Sequence, residues 1–179
     1  MGIKLSKTSK KSEPLPPINV QENPDFRYND DSWPDVMNEL TRVLKPGGYL
    51  ELVEFSAPLQ TGPVTSQLFN AVNKMLELRG LDILTVYKVR SYFEQQENLE
   101  DIIEEKNRLP HGPEAGKLGQ ATAENCRLVL SNLKPLLQEA LKISSEELKN
   151  NLDISAKELR EFNSYQDISC VYARKIVNH

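Results

Sequence analysis

The chain has 179 residues, of which 39% are hydrophobic, with 22 Lys and Arg against 26 Asp and Glu and a formal charge of −4. That length suits one domain with an ordinary core, and the mild acidity offers no general attraction to a polyanion, so no nucleic-acid partner is expected. No stretch approaches the roughly 18 consecutive apolar residues of a membrane span, and Cys126 and Cys170, far apart and without metal-ligand spacing, read as buried free thiols in a reducing, cytoplasmic compartment with no metal site.

Residues 1–31 differ in composition from the rest. Lys, Ser, Pro and Asn dominate, and Pro14 to Pro17 favours an extended chain, so this leader is expected to be disordered and residues 32–179 to form the folded part. Met1-Gly2-Ile3-Lys4-Leu5-Ser6 fits the pattern for N-myristoylation at Gly2, and Lys4, Lys7, Lys10 and Lys11 follow with no acidic residue before Glu13. A single acyl chain binds membranes marginally, and a basic cluster adds attraction to an anionic leaflet. Peripheral membrane contact through the N-terminus is one reading, and a plain basic tail is the other.

The segment Trp33 to Phe55, WPDVMNELTRVLKPGGYLELVEF, reads as a helix, its stop and a strand. Ser32 can accept the first free amides, Asp35 occupies a capping-box position and Pro34 falls in the first turn. Val36, Met37, Leu40, Val43 and Leu44 form one apolar stripe. Pro46 cannot continue the helix, and Gly47 and Gly48 allow the reversal. Tyr49 to Phe55 is apolar on both alternations except at Glu51 and Glu54, which suits an inner strand covered on both faces.

Beyond it, Leu68, Val72, Met75 and Leu76 mark an amphipathic helix from Ser66 that Gly80 can end. Asp82 to Gln96 reads as a second helix presenting Ile83, Val86, Tyr87, Arg90 and Phe93. Leu99 to Leu109 could extend that helix or form a strand, with Pro110 favouring the strand. Pro113 to Gln120 reads as loop. Thr122 can cap a long helix carrying Cys126, Val129, Leu130, Leu133, Leu137 and Leu141, kinked by Pro135. Ser144 with Glu147 forms a capping box for a helix whose Leu148, Leu152, Ala156 and Leu159 share a face. Ile168 to Val177 alternates as a strand. The acidic run Glu100 to Glu105 reads as a solvated face.

The W..V..EL.RVLKPGGYLELVE pattern closely resembles the helix, LKPGG turn and strand of the class I S-adenosylmethionine-dependent methyltransferases, especially a fungal group. LEDIIEEKNRLPHG at Leu99 to Gly112 looks like that family's next strand and loop, and EFNSYQDISCVYARK looks like its last strand. Even Met1 to Tyr28 is similar to the leader of related fungal proteins. The resemblance implies an α/β fold: part of a Rossmann-like methyltransferase sheet of about three strands, with helical lid insertions. It also implies S-adenosylmethionine as cofactor and a small-molecule or protein methyl acceptor.

The family's glycine-rich cofactor loop and ribose-binding acid are not found. Gly47-Gly48, Gly112 and Gly116 to Gly119 do not sit between an apolar strand and a helix. The strand-and-helix units that would carry them need on the order of 100 residues, whereas four separate Tyr28 from Trp33. The chain looks like a methyltransferase without its cofactor-binding half, so no cofactor-binding residue can be assigned.

In open α/β sheets, ligands bind beyond the carboxyl ends of the strands. For the strand ending at Phe55 that edge is Glu54, Phe55 and Ser56, the candidate substrate contacts. Glu54 could orient or deprotonate an acceptor, or simply end a strand in water. His111, in LPHGPE where the family closes over its active site, could serve as a base or be solvated and idle. Trp33 could cover a cofactor ring or pack on the core.

Two functional classes follow. One is a methyltransferase family member, inactive as this chain alone. The other is a non-catalytic remnant or membrane-tethered interaction module, whose half sheet would expose an edge prone to self-association.

Overall fold

The computed structural model describes residues 32–177, together with the backbone of residues 2–5. The disorder expected over the leader, and Lys7, Lys10 and Lys11, therefore lie outside the described residues, with one correction: Gly2–Leu5 forms a strand, β1. It is followed by α1 (Trp33–Val43), β2 (Tyr49–Phe55), α2 (Pro63–Leu78), a helical turn at Thr85–Tyr87, α3 (Val89–Glu94) and β3 (Leu99–Pro110). After a second turn at Pro113–Ala115 come α4 (Gly116–Asn132), α5 (Lys134–Leu141), α6 (Ser145–Glu161) and β4 (Tyr165–Lys175).

The fold is mixed α/β on a sheet ordered β1-β2-β4-β3, with every neighbouring pair antiparallel. Because β4 is antiparallel to both β2 and β3, those two strands run in the same direction with the last strand reversed between them. The long edge strand β3 carries six charged side chains and a register shift between Glu100 and Ile103, with Asp101 at φ 54°. Charges and a bulge on an edge oppose further strand pairing.

The α1-turn-β2 unit forms as the sequence indicates. Gly47 takes φ 75°, and its N–H donates to the Lys175 carbonyl at 2.9 Å, so the turn is stitched to the end of β4. Lys175 Nζ in turn donates to the carbonyls of Thr41 (2.6 Å) and Leu44 (2.8 Å), closing the C-terminus of α1 where free carbonyls and the helix dipole favour a cation. Two details differ from expectation. Ser32 adopts αR geometry and makes no side-chain cap bond, leaving Pro34 as the start signal. Val43 is exposed, and Trp33 and Thr41 are buried in its stead beside Met37.

One core lies between α1, α3 and the sheet. Leu50 and Leu52 stand opposite Ala173 and Val171, and all four are buried with Met37, Val89 and Phe93. The Trp33 and Tyr92 rings stack at 4.8 Å. The opposite face corrects the expectation of a doubly covered strand. Tyr49, Phe55 and Ile103 are 47%, 43% and 45% exposed, and Val53, Ile168, Cys170 and Tyr172 are only half-buried. Among the described residues, helices cover one face of the sheet only.

A second core joins α2 to the helices between β3 and β4, through Leu68, Val72, Leu130, Leu137, Leu148 and Leu152. Glu158 of α6 ties the two together. Its buried carboxylate accepts from the backbone N–H of Val64 (3.2 Å) and Thr65 (2.7 Å) and from the Thr65 hydroxyl (2.8 Å), capping α2 from another helix. The Ser144–Glu147 capping box opens α6 as expected.

Three boundaries shift. Asp82 to Gln96 is a turn and a short helix, because Asp82 Oδ1 takes the Leu84 N–H at 2.9 Å in a local turn; Tyr87 and Arg90 face solvent while Val89 and Tyr92 take the core. α4 starts at Gly116 inside the expected loop, and Thr122 is no cap: within α4, its hydroxyl donates to the Pro110 carbonyl at 2.5 Å, fastening the helix to the end of β3. Pro135 opens a separate helix, α5, in place of a kink.

Candidate functional site

A cavity of about 350 Å³ opens at the carboxyl end of β2, between the sheet, α1, α2, the Thr85–Tyr87 turn and α4. Glu54, Phe55 and Ser56 all line it, so the three residues expected at this edge are brought together. Its walls are mostly apolar, with Trp33, Val36, Phe69, Val72, Leu76, Val86 and Val129, while Asp82, Asn125, Cys126 and Gln166 add polar atoms. A volume near 350 Å³ falls at the lower end of the range that encloses small organic ligands.

Glu54 is half-buried, makes no side-chain hydrogen bond among the described residues, and burial raises its pKa above the usual carboxylate value, opposed by the positive charge of the N-terminus. A half-buried carboxyl with a raised pKa can accept from a ligand hydroxyl or amine, or take its proton. Ser56 is committed to structure: its hydroxyl donates to the Ala57 carbonyl (2.8 Å) and accepts the Asp167 N–H (2.9 Å), and its carbonyl takes Gln166 Nε2 at 2.6 Å. Asp82 is ion-paired to Lys88 at 2.8 Å.

His111 does not close over this site. It is fully buried behind the cavity wall, its backbone N–H donating to the Ser164 carbonyl at 2.8 Å. Burial lowers its pKa, opposed by a hydrogen bond to the Thr122 backbone. Cys126 Sγ lies 3.9 and 4.0 Å from its two ring nitrogens. A sulfur equidistant from both nitrogens is aligned with neither lone pair, so the two do not form a proton-relay dyad. Burial also pushes the Cys126 thiol up to about 12, keeping it protonated and inert at neutral pH.

Cys170 departs from the buried thiol expected: it lies half-buried on the open sheet face and donates to Glu51 Oε1 at 3.2 Å. Among the described residues there is no disulfide, and no group of three or more His, Cys, Asp and Glu is placed to hold a metal. Within the acidic run, Glu104 is largely buried and accepts from the Ser169 hydroxyl at 2.9 Å, so that stretch is not wholly solvated. Gly2 stands opposite Val53 in the β1–β2 ladder.

Sequence reasoning missed Asp82, Cys126 and Gln166 as cavity residues. Asp82 had a signal, since an acid two residues after Gly80 at a helix end is a turn former. Cys126 and Gln166 reach the cavity only through tertiary packing. No protein-family model and no curated protein matches the chain, and no helix among the described residues is long and apolar enough to cross a membrane.

Proposed function

We propose that this chain is the C-terminal part of a class I methyltransferase-type domain, that its cavity is the acceptor side of the methyl-transfer site, and that it does not transfer methyl groups by itself. The observation that carries the reading is the half-buried carboxyl of Glu54, its pKa raised by burial, in a mostly apolar cavity at the carboxyl end of β2. Supporting it are the LKPGG turn that delivers β2 and the formation of strands at both later segments that resemble the family.

Methyl transfer from S-adenosylmethionine is an in-line displacement at a sulfonium methyl, so the protein chiefly supplies proximity and orientation. In this reading the apolar wall holds the acceptor and Glu54 orients its hydroxyl or amine, accepting a proton where the nucleophile must lose one. The glycine-lined seat for the donor is not found in the sequence, which makes the chain dependent on another component for the cofactor.

The open sheet face favours a second reading, a non-catalytic remnant that associates through exposed apolar surface. Trp33, the single tryptophan, lines the cavity and reports on both. Small aromatic alcohols and amines should saturably shift Trp33 emission, with affinity reduced roughly tenfold by Glu54→Gln. Binding unaffected by that change would remove Glu54 from the site. Absence of any saturable shift, together with concentration-dependent self-association, would favour the remnant.

A further inference from the structure

The register of β1 bears directly on the cavity. Gly2 pairs with Val53 in antiparallel sense, so the amino end of β1 points along β2 toward Glu54 and Phe55, both cavity residues. A group attached to the Gly2 nitrogen would continue the strand to a place opposite Glu54, at the cavity edge. Gly2 is also the acceptor position of the M-G-x-x-x-S pattern.

Size and lining agree with an acyl chain. A cavity of roughly 150 Å³ lodges the six carbons of benzene, and the half-open pocket beside β2, at about 350 Å³, has room for a longer apolar chain such as a tetradecanoyl group. Phe69, Val72, Leu76 and Val86 offer such a chain apolar contact, and among the described residues the charged groups lining the space are the carboxyls of Glu54 and Asp82, with no Lys, Arg or His. We propose that Gly2 is N-acylated with a saturated fatty acid of about this length and that the acyl chain folds back into the cavity at the end of β2.

The reaction is ordinary acyl transfer. Hydrolysis of the Met1–Gly2 peptide bond frees the Gly2 amine, which attacks the carbonyl of a fatty acyl thioester; a C–N amide bond forms, the C–S bond breaks, and the amine proton leaves with the thiol. The inference requires only the cavity and the Gly2 register, and goes beyond the methyl-transfer reading. An acyl chain seated there would exclude other ligands, whereas the unacylated chain would leave the cavity open to them.

The test is co-expression of the full chain with an N-acyltransferase fed either tetradecanoate or its tail-brominated analogue. Intact mass should show one acyl group on the wild-type chain and none on Gly2→Ala. The brominated tail should abolish most Trp33 emission, because bromine quenches only at short range. Val129→Glu, a change at a 40% exposed position on the cavity wall, should restore that emission and raise binding of the acylated chain to phosphatidylcholine vesicles roughly tenfold. Lack of acylation at Gly2 would overturn the proposal. So would an acylated chain whose Trp33 emission is unquenched and which sediments with vesicles, since its acyl group would then be a membrane anchor. Ligand binding by the unacylated chain tests the methyl-transfer reading separately.

Discussion

Replacing Glu158 with Ala should loosen the whole cavity without touching it. The carboxylate is 7% exposed and receives two backbone N–H bonds, at 3.2 and 2.7 Å, and the Thr65 hydroxyl at 2.8 Å, all at the first turn of α2. Loss of an N-cap acceptor costs about 1 kcal/mol. Charge-assisted hydrogen bonds are worth about 1.5–3 kcal/mol each, although the freed donors can recruit water into the gap. Together these give about 3 kcal/mol of destabilisation, and Glu158→Gln, which keeps one acceptor oxygen, should cost about half of that. Urea unfolding followed by circular dichroism measures both. Because α2 supplies Phe69, Val72 and Leu76 to the cavity wall, ligand-induced Trp33 shifts should weaken in parallel. An Ala variant within about 0.5 kcal/mol of the wild type would refute the reasoning, because it would mean the carboxylate is not the acceptor that holds α2 to α6.

Three further outcomes follow from the same contacts. Burial raises the Glu54 pKa in the folded chain, so between its unfolded and folded values the native state holds the extra proton and stability falls as pH rises; Glu54→Gln should be more stable than wild type at pH 7 and no more stable well below pH 4.5, as thermal melts across that range would show. Gly119→Ala should destabilise strongly, since an added Cβ would lie 2.0 Å from the Gly112 carbonyl oxygen; a melting temperature equal to wild type would contradict the tight α4 crossing. Both thiols should resist alkylation by iodoacetamide at pH 8 in the native chain and react on unfolding, with Cys126 held near 12 by burial and Cys170 near 11 by burial and the adjacent Glu51; fast native labelling of Cys126 would show that it is not enclosed.

The parts of the fold that were legible are those whose causes are local. Pro46, Gly47 and Gly48 define a stop and a reversal within three residues, and the Ser144–Glu147 box carries both of its bonds within one turn. Glu54, Phe55 and Ser56 are consecutive, so their meeting at the end of β2, where they line one cavity, is also a local consequence of the sequence. What escaped depends on distant partners. Glu158 and Thr65 are 93 positions apart, and nothing in α6 marks Glu158 as different from its solvated neighbours. His111 resembles a loop residue by composition, yet the packing of α4 against the end of β3 encloses it. Apolar alternation on both sides of β2 reads as double burial, but whether a face is covered is decided by elements elsewhere.

On the proposed reading, this chain carries the wall of a methyl-transfer site without the seat for its donor. Calorimetric titration of S-adenosylmethionine into the chain at millimolar ligand tests it most directly. The account predicts no heat beyond dilution, while the same preparation still responds to apolar alcohols or amines through Trp33. A saturable one-to-one heat with the sulfonium compound would contradict it.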